Sequence, residues 1–285
     1  MSPRRVALVT GASSGIGLRA AVALARDGVR VFAGMRDVSR AADLIDAATQ
    51  AKVTVEPVAI DVRDEAAVRE VVARLERDAG RLDVVVNSAG VLWSGFAEDT
   101  SADELREQFE TNFFGVANVC RAVIPGMRSR WYGRILNVSS LGGRVASPMF
   151  SGYDASKFAV EGYSEALRHE LRAAGVFVSL IEPGMVPTRM VRHAWRRSDA
   201  SADPQGPNAA ATARLERLFQ VGAGWSHQTT SADAVARVIA RAASARTPRL
   251  RYVVGLDAYA TLWMSRAAPQ AWELWNAWLA RPETR

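Results

Sequence analysis

The sequence predicts an α/β fold in which a doubly wound parallel sheet of about seven strands carries helices on both faces. Three observations lead there. Short β-rich runs recur along the chain, most of them continuous in apolar character rather than alternating, as strands covered on both faces must be. The stretches between them carry helical periodicity, seen in Ala66, Val68, Val71, Val72 and Leu75. At 285 residues and 49% hydrophobic, the chain can bury one large core, so 1–285 reads as a single domain.

The strands are expected over Val6 to Thr10, Val29 to Met35, Val53 to Ile60, Val84 to Asn87, Arg134 to Val138, Val176 to Ile181 and Leu250 to Val254. Strand and helix alternate through them, the pattern of a parallel sheet. In such a sheet the ligand sits beyond the carboxyl ends of the strands, near the point where strand order reverses. Functional residues are therefore sought just after strands. The segment 189–230 departs from the rhythm and is turn-rich from Asp199 to Asn208; it reads as a mobile substrate-loop insertion or a plain surface loop. A helical tail is expected over 256–285.

The first strand runs into Thr10-Gly11-Ala12-Ser13-Ser14-Gly15-Ile16-Gly17, followed by an apolar helical pattern through Ala20, Ala21, Leu24 and Ala25. Glycines bring backbone N–H groups close to a pyrophosphate, and the positive end of the following helix favours its charge. The spacing is not the usual G-x-G-x-x-G, so the placement between strand and helix carries the argument. The second strand ends at Met35 and Arg36, where a site for NAD would place a carboxylate on the ribose hydroxyl. A guanidinium there can grip a 2′-phosphate, which favours NADP(H) over NAD(H); otherwise Arg36 is a solvated surface residue.

Asp61, followed by Val62, ends the third strand and can accept from an adenine amino group or cap the helix that starts near Asp64. Asn87-Ser88-Ala89-Gly90 ends the fourth strand in a turn of small residues that lets a dinucleotide lie close to the backbone. The fifth strand ends in Asn137-Val138-Ser139-Ser140. Ser140 is placed to hydrogen-bond a substrate oxygen, whereas Ser139, one residue out of phase, reads as structural.

Tyr153 and Lys157 are four residues apart on one helix face, about 6 Å along its axis. An ammonium about 5 Å from the phenol, at an effective dielectric of about 20, favours phenolate by roughly 3 kcal/mol. That would bring a phenol, with an ordinary pKa near 10, into the range of general acid–base work.

Taken together, these motifs resemble the short-chain dehydrogenase/reductase family, with an extended tail. The likeness runs from residue 5 to about 188 through TGASSGIG, Asp61-Val62, NSAG, Asn112 within Thr111-Asn-Phe-Phe-Gly115, Ser140, Tyr153, Lys157 and Glu182-Pro183-Gly184. It implies a Rossmann-like fold and an NADP(H)-dependent enzyme that interconverts a carbonyl and an alcohol. Tyr153 would be the acid–base, Lys157 would bind the nicotinamide ribose and lower the tyrosine pKa, and Ser140 would orient substrate. Asn112 would complete a proton relay through a helix distortion and water. Pro183, Gly184, Val186 and Thr188 would contact the cofactor, Thr188 at the nicotinamide carboxamide. Two departures stand out: Ser88 replaces the commoner second Asn, and Pro187 precedes Thr188. The fold also admits a non-catalytic NADP(H)-binding regulatory protein, or an epimerase or dehydratase.

The remaining composition excludes other classes. The 36 Lys and Arg against 30 acids are scattered rather than gathered into a basic stripe, so no nucleic-acid partner is expected. Cys120 is the single cysteine, which leaves no internal disulfide, and His169, His193 and His227 are too dispersed for a metal site. With no signal-like segment and no membrane-length apolar run, a cytoplasmic protein is expected. Trp263, Trp272, Trp275 and Trp278 crowd the tail, where Trp272, Trp275 and Leu279 share a helical face expected to pack in the core, or else to serve a subunit interface or an apolar substrate lid. Trp93, Trp195 and Trp225 lie where a substrate wall forms, which suits a bulky apolar compound: steroid-like, retinoid-like, polyketide or long-chain. Family resemblance suggests a homodimer or homotetramer through helices around 103–124 and 153–173.

Overall fold

The computed structural model describes residues 4–187, 195–218 and 230–281. Seven strands form one parallel sheet in the order β3-β2-β1-β4-β6-β7-β9, with β1 at Val6–Thr10, β2 at Arg30–Met35, β3 at Glu56–Ala59, β4 at Val84–Asn87, β6 at Gly133–Val138, β7 at Val176–Pro183 and β9 at Arg251–Val254. Strand order reverses between β1 and β4, whose register sets Thr10 beside Asn87. This is the doubly wound sheet that the apolar runs predict. The third strand is shorter than expected because Val53 and its neighbours serve as the connection from the preceding helix.

Each face of the sheet has its own core. Helix α1 (Gly15–Arg26), α2 (Ala42–Gln50) and the Ala232–Ser244 helix cover one side, through buried Leu18, Leu24, Leu44, Val235 and Ile239. Helices α3 (Glu65–Ala79), α5 (Gly115–Ser129) and α6 (Ser151–Leu171) cover the other, through Val68, Val72, Val119, Val123, Val160 and Leu167. Full burial of such side chains contributes about 1.5–3 kcal/mol each, and this is what holds the strand ends in register. Local signals set the helix starts: Asp64 caps α3, Ser101 and Glu104 form a reciprocal capping box on α4 (Ala102–Phe109), and Ser231 caps the Ala232–Ser244 helix.

Two features lie outside the regular frame. A π-helical turn over Glu110–Phe114 joins α4 to α5. A separate two-stranded parallel ribbon pairs β5 (Leu92–Ser94) with β8 (Trp195–Arg197). The described part of the 189–230 insertion is thus structured, with β8, a 3-10 turn at Ala200–Ala202 and a helical segment over 209–218, rather than being a plain loop.

The tail departs from expectation. Helices Leu256–Ala267 and Pro269–Leu279 form, but of the stripe expected to pack inward only Leu279 is buried, while Trp275 is 49% exposed. Trp275 stacks on Trp278 with centroids 5.3 Å apart, and Trp263 is 71% exposed. The last helix touches the body mainly through its end, so helical periodicity marked the stripe without saying which side the body lies on.

Candidate active site

The carboxyl ends of the central strands open on a cavity of about 610 Å³. At its floor, Gly11 has φ +67°, and a Cβ there would lie 2.7 Å from the Ala89 backbone nitrogen, so the first and fourth strand ends meet only because residue 11 lacks a side chain. A Cβ at Gly17 would collide with the Gly11 carbonyl. Thr10 Oγ1 accepts from the Ser88 and Ala89 N–H groups at 3.1 and 3.3 Å, closing the same junction. Ser13, Ser14, Gly15 and Ile16 line the cavity, whereas Gly17 packs behind the turn. Ser14 is the N-cap of α1, yet its side chain makes no capping bond, so the first turn aims its N–H groups at the cavity.

Arg36 and Arg40 line the end of the cavity beyond β2. The nearby carboxylate of Asp37 is turned to the Ser39 N–H and hydroxyl, at 2.9 and 2.6 Å. Asp61 and Val62 also line the cavity. Asp61 does not cap α3, a role taken by Asp64; its carboxylate is held by the Arg63 fork, with a contact of 2.6 Å, and this keeps its pKa below the usual range. Ala89 and Gly90 form the opposite wall.

Asn87 is not on that wall. It is 2% exposed, and its Nδ2 donates to Asn137 Oδ1 at 2.9 Å, while Asn137 donates onward to Ser164 Oγ at 2.8 Å. Strand alternation turns this side chain away from the cavity toward α6, where it ties two strand ends to that helix, so the expected cofactor contact of Asn87 is open to its backbone and not to its amide.

Asn112 sits in the π-helical turn, fully buried. Its Oδ1 accepts from Val91 N–H at 2.9 Å, and its Nδ2 donates to the Val91 carbonyl and to Ser156 Oγ, both at 3.0 Å. The extra residue of the turn lets the amide swing off the helix ladder toward the site. Ser140 Oγ accepts from Gly142 N–H at 3.1 Å and is hydrogen-bonded to the Tyr153 hydroxyl. Ser139, expected to be structural, also borders the cavity, and among the described residues its buried hydroxyl has no partner.

Lys157 is 6% exposed, and its Nζ donates to the Val138 carbonyl at 3.0 Å while lying 5.8 Å from the Tyr153 ring centre. Burial depresses its pKa to about 8, against a smaller upward pull from Glu161. The Tyr153 phenol is pushed up to about 12, because burial outweighs the hydrogen bond from Ser140. The shift is opposite in direction to the one expected from the ammonium, because desolvation of the buried phenol dominates. Asp154, which sequence reasoning passed over as a spacer between Tyr153 and Lys157, also borders the cavity; burial raises its carboxyl to about 8, while Ser147 N–H bonds its Oδ2 at 2.8 Å.

Behind these groups lies a buried ionic cluster. Arg144, on the loop after Ser140, reaches Glu182 at 3.0 Å, and Arg251 joins Glu182 and Glu161 at 3.2 and 3.1 Å. Pro183, Gly184 and Val186 leave this cluster to line the cavity. Thr188, Trp225, His193 and His227 lie outside the described residues. Leu92, Met149, Phe150, Leu215 and Leu279 form an apolar cluster against Tyr153. Trp93 is not on the cavity; its Nε1 donates to Glu107 at 3.1 Å, and the Arg196 guanidinium stands over its ring. Among the described residues, no cluster of His, Cys, Asp and Glu could hold a metal ion.

A glycine floor, an uncapped helix end, and Tyr153, Lys157, Ser140 and Asn112 around one cavity at the strand ends agree with the family model for short chain dehydrogenases, which matches residues 5–199. The chain is a short-chain dehydrogenase/reductase. It is 34% identical over 267 residues, 94% of each chain, to a probable short-chain type dehydrogenase/reductase, VdlC, of Helicobacter pylori. It is 40% identical over 184 residues, 65% of this chain and 64% of the other, to the 3-ketodihydrosphingosine reductase of Bacteroides thetaiotaomicron. Among solved structures, a short-chain dehydrogenase from Streptomyces avermitilis superposes with a TM-score of 0.78 at 32% identity, covering 96% of this chain and 98% of that one. A metagenomic short-chain oxidoreductase in complex with NADP (TM-score 0.69, 26% identity, 89% and 98% covered) and a Burkholderia phymatum short-chain dehydrogenase/reductase in complex with NAD (0.78, 27%, 99% and 97%) are also similar. As a short-chain dehydrogenase/reductase, the protein is an oxidoreductase acting on small molecules, and none of its described helices is long and apolar enough to cross a membrane.

Proposed function

We propose that this oxidoreductase uses NADP(H) to interconvert a ketone or aldehyde with the corresponding alcohol of a bulky apolar compound, and works chiefly as a ketoreductase. The observation that carries the reading is the convergence of Ser140, Tyr153 and Lys157 on one cavity that Leu92 and Phe150 also line, with Met149, Leu215 and Leu279 packed behind them. That wall suits a steroid-like, retinoid-like, polyketide or long-chain substrate. The 3-ketodihydrosphingosine reductase, by its name, acts on a compound of the last kind.

The dinucleotide fits the residues present. The glycine floor, which a Cβ would fill, admits a pyrophosphate against the first turn of α1, and Arg36 and Arg40 offer guanidiniums with Asp37 turned aside. When bound, the nicotinamide supplies or takes up hydride. The protein's own part is proton handling and orientation. Ser140 holds the substrate oxygen beside Tyr153, whose phenol keeps its proton at neutral pH and delivers it to that oxygen as the carbonyl is reduced. Lys157 fixes α6 to the end of β6, and Asn112 fixes the π-helical turn to Val91 and Ser156.

Homo-oligomerisation through the helices around 103–124 and 153–173 accords with Leu105, Phe114 and Phe158, which stand exposed there. The test of the main reading is a carbonyl and alcohol panel followed at the nicotinamide absorbance with both cofactors. Apolar ketones should turn over with NADPH at least about tenfold more efficiently than with NADH, and Arg36→Leu should erase the preference. Equal efficiency in the unaltered enzyme would remove the role of Arg36.

A further inference from the structure

The first turn of the Leu256–Ala267 helix carries Asp257, which borders the cavity opposite the nucleotide floor. Its Oδ2 accepts the Met185 N–H at 2.7 Å. Its Oδ1 accepts from the Thr230 hydroxyl at 3.3 Å, and Thr230 is 1% exposed. A Cβ added at Gly184 or at Gly255 would collide with this carboxylate, so both glycines leave room for it. Gly184 and Met185 follow β7 directly, and Thr230 stands just before the Ser231 cap. One carboxylate thus clasps the exit and the return of the substrate insertion and joins both to the tail.

We propose that Asp257 is a positioning residue that holds the Gly184–Val186 loop in the geometry that receives the nicotinamide end of NADP(H). Gly184 N–H also bonds the Val254 carbonyl at 2.9 Å, which orients Gly184, and Val186 packs in the core, but among the described residues neither contact holds the Met185 N–H. Acceptance of the Met185 N–H fixes that peptide plane, and the Thr230 bond fixes the carboxylate itself. A loop so fixed offers its backbone to the nucleotide without an ordering cost at binding. The inference rests on the cavity taking the dinucleotide.

The test is titration of the full chain with NADPH by calorimetry, beside melting temperatures and steady-state kinetics. Asp257→Ala should weaken NADPH binding about five- to tenfold and raise its KM in proportion, with a smaller change in kcat. Asp257→Asn should bind within about twofold of the unaltered protein, because an amide can accept from Met185 and donate to the Thr230 oxygen. Unchanged binding by Asp257→Ala, even with a lowered melting temperature, overturns the proposal. So does an Asn variant as weak as the Ala variant. If Asp257→Ala does not fold, Thr230→Val decides by the same titration: binding weakened about threefold supports the clasp and unaltered binding overturns it. Failure of the unaltered protein to bind NADPH or NADH overturns the dinucleotide reading itself, and the clasp with it.

Discussion

Lys157 donates from Nζ to the Val138 carbonyl at 3.0 Å, so the buried cation of α6 is spent on the last residue of β6, two positions before Ser140. This one bond sets the distance between the helix that carries Tyr153 and the strand end that carries Ser140. Burial holds the lysine near pKa 8, below its ordinary 10.5, so the ammonium burdens the folded state most below pH 8, and the burden lifts as pH rises from 8 toward 10.5. Lys157→Met should lower kcat/KM by about 10²-fold or more. Measured by denaturant melts, its stability relative to the unaltered protein should be highest below pH 8, and the difference should close as pH rises through that window.

Tyr153→Phe removes one oxygen and keeps the ring in its apolar cluster. Turnover should fall by about 10²- to 10⁴-fold, with the NADPH dissociation constant within a factor of about two. Comparable turnover would show that another group moves the proton.

For Asn112→Ala the expected loss is first structural. The Val91 N–H and carbonyl would lose their partner, at a cost of about 1–3 kcal/mol for each group left unsatisfied, whereas the Ser156 hydroxyl keeps its bond to the Tyr153 carbonyl. The melting temperature should drop by about 3–10 °C. A variant that melts like the parent would mean that the π-helical turn does not depend on this amide.

Asp154 gives the opposite pH signature to Lys157. Its carboxyl is raised by burial from 3.8 to about 8, so the folded state retains a proton that the unfolded chain releases, and stability falls as pH rises between those values. Asp154→Asn keeps an acceptor for Ser147 N–H and should flatten the stability profile across that window. A slope that persists would assign it to another group.

The parallel sheet was legible because strands buried on both faces must be continuously apolar, and residues such as Val84, Val85 and Val86 are exactly that: 0% exposed, every one. Strand-end position points to Ser140 and helical spacing to Tyr153 with Lys157, whereas Asn112 is found only through the family resemblance; all four border one cavity. What escaped was direction and environment. The alternation that sends Asn87 inward depends on where the strand starts to a single residue. Spacing could show neither the bond of Lys157 to Val138 nor the burial that raises the Tyr153 phenol. Asp154 and Asp257 look like helix-start acids in the sequence, and their roles depend on tertiary neighbours far along the chain: Ser147 across a loop for one, Met185 and Thr230 for the other.

Leu279 packs with Leu215 and Leu92 in the cluster that borders Tyr153, whereas the sheet itself is complete once β9 has formed at Val254. The strand ends that carry Thr10, Asn87 and Val138 are therefore in place without the tail, and Leu279 adds to the apolar cluster from outside the sheet. The packing beside Tyr153 thus joins one of the last described residues of the chain to Leu92, on the ribbon strand β5, so the tail and the body of the fold meet at the same apolar contact.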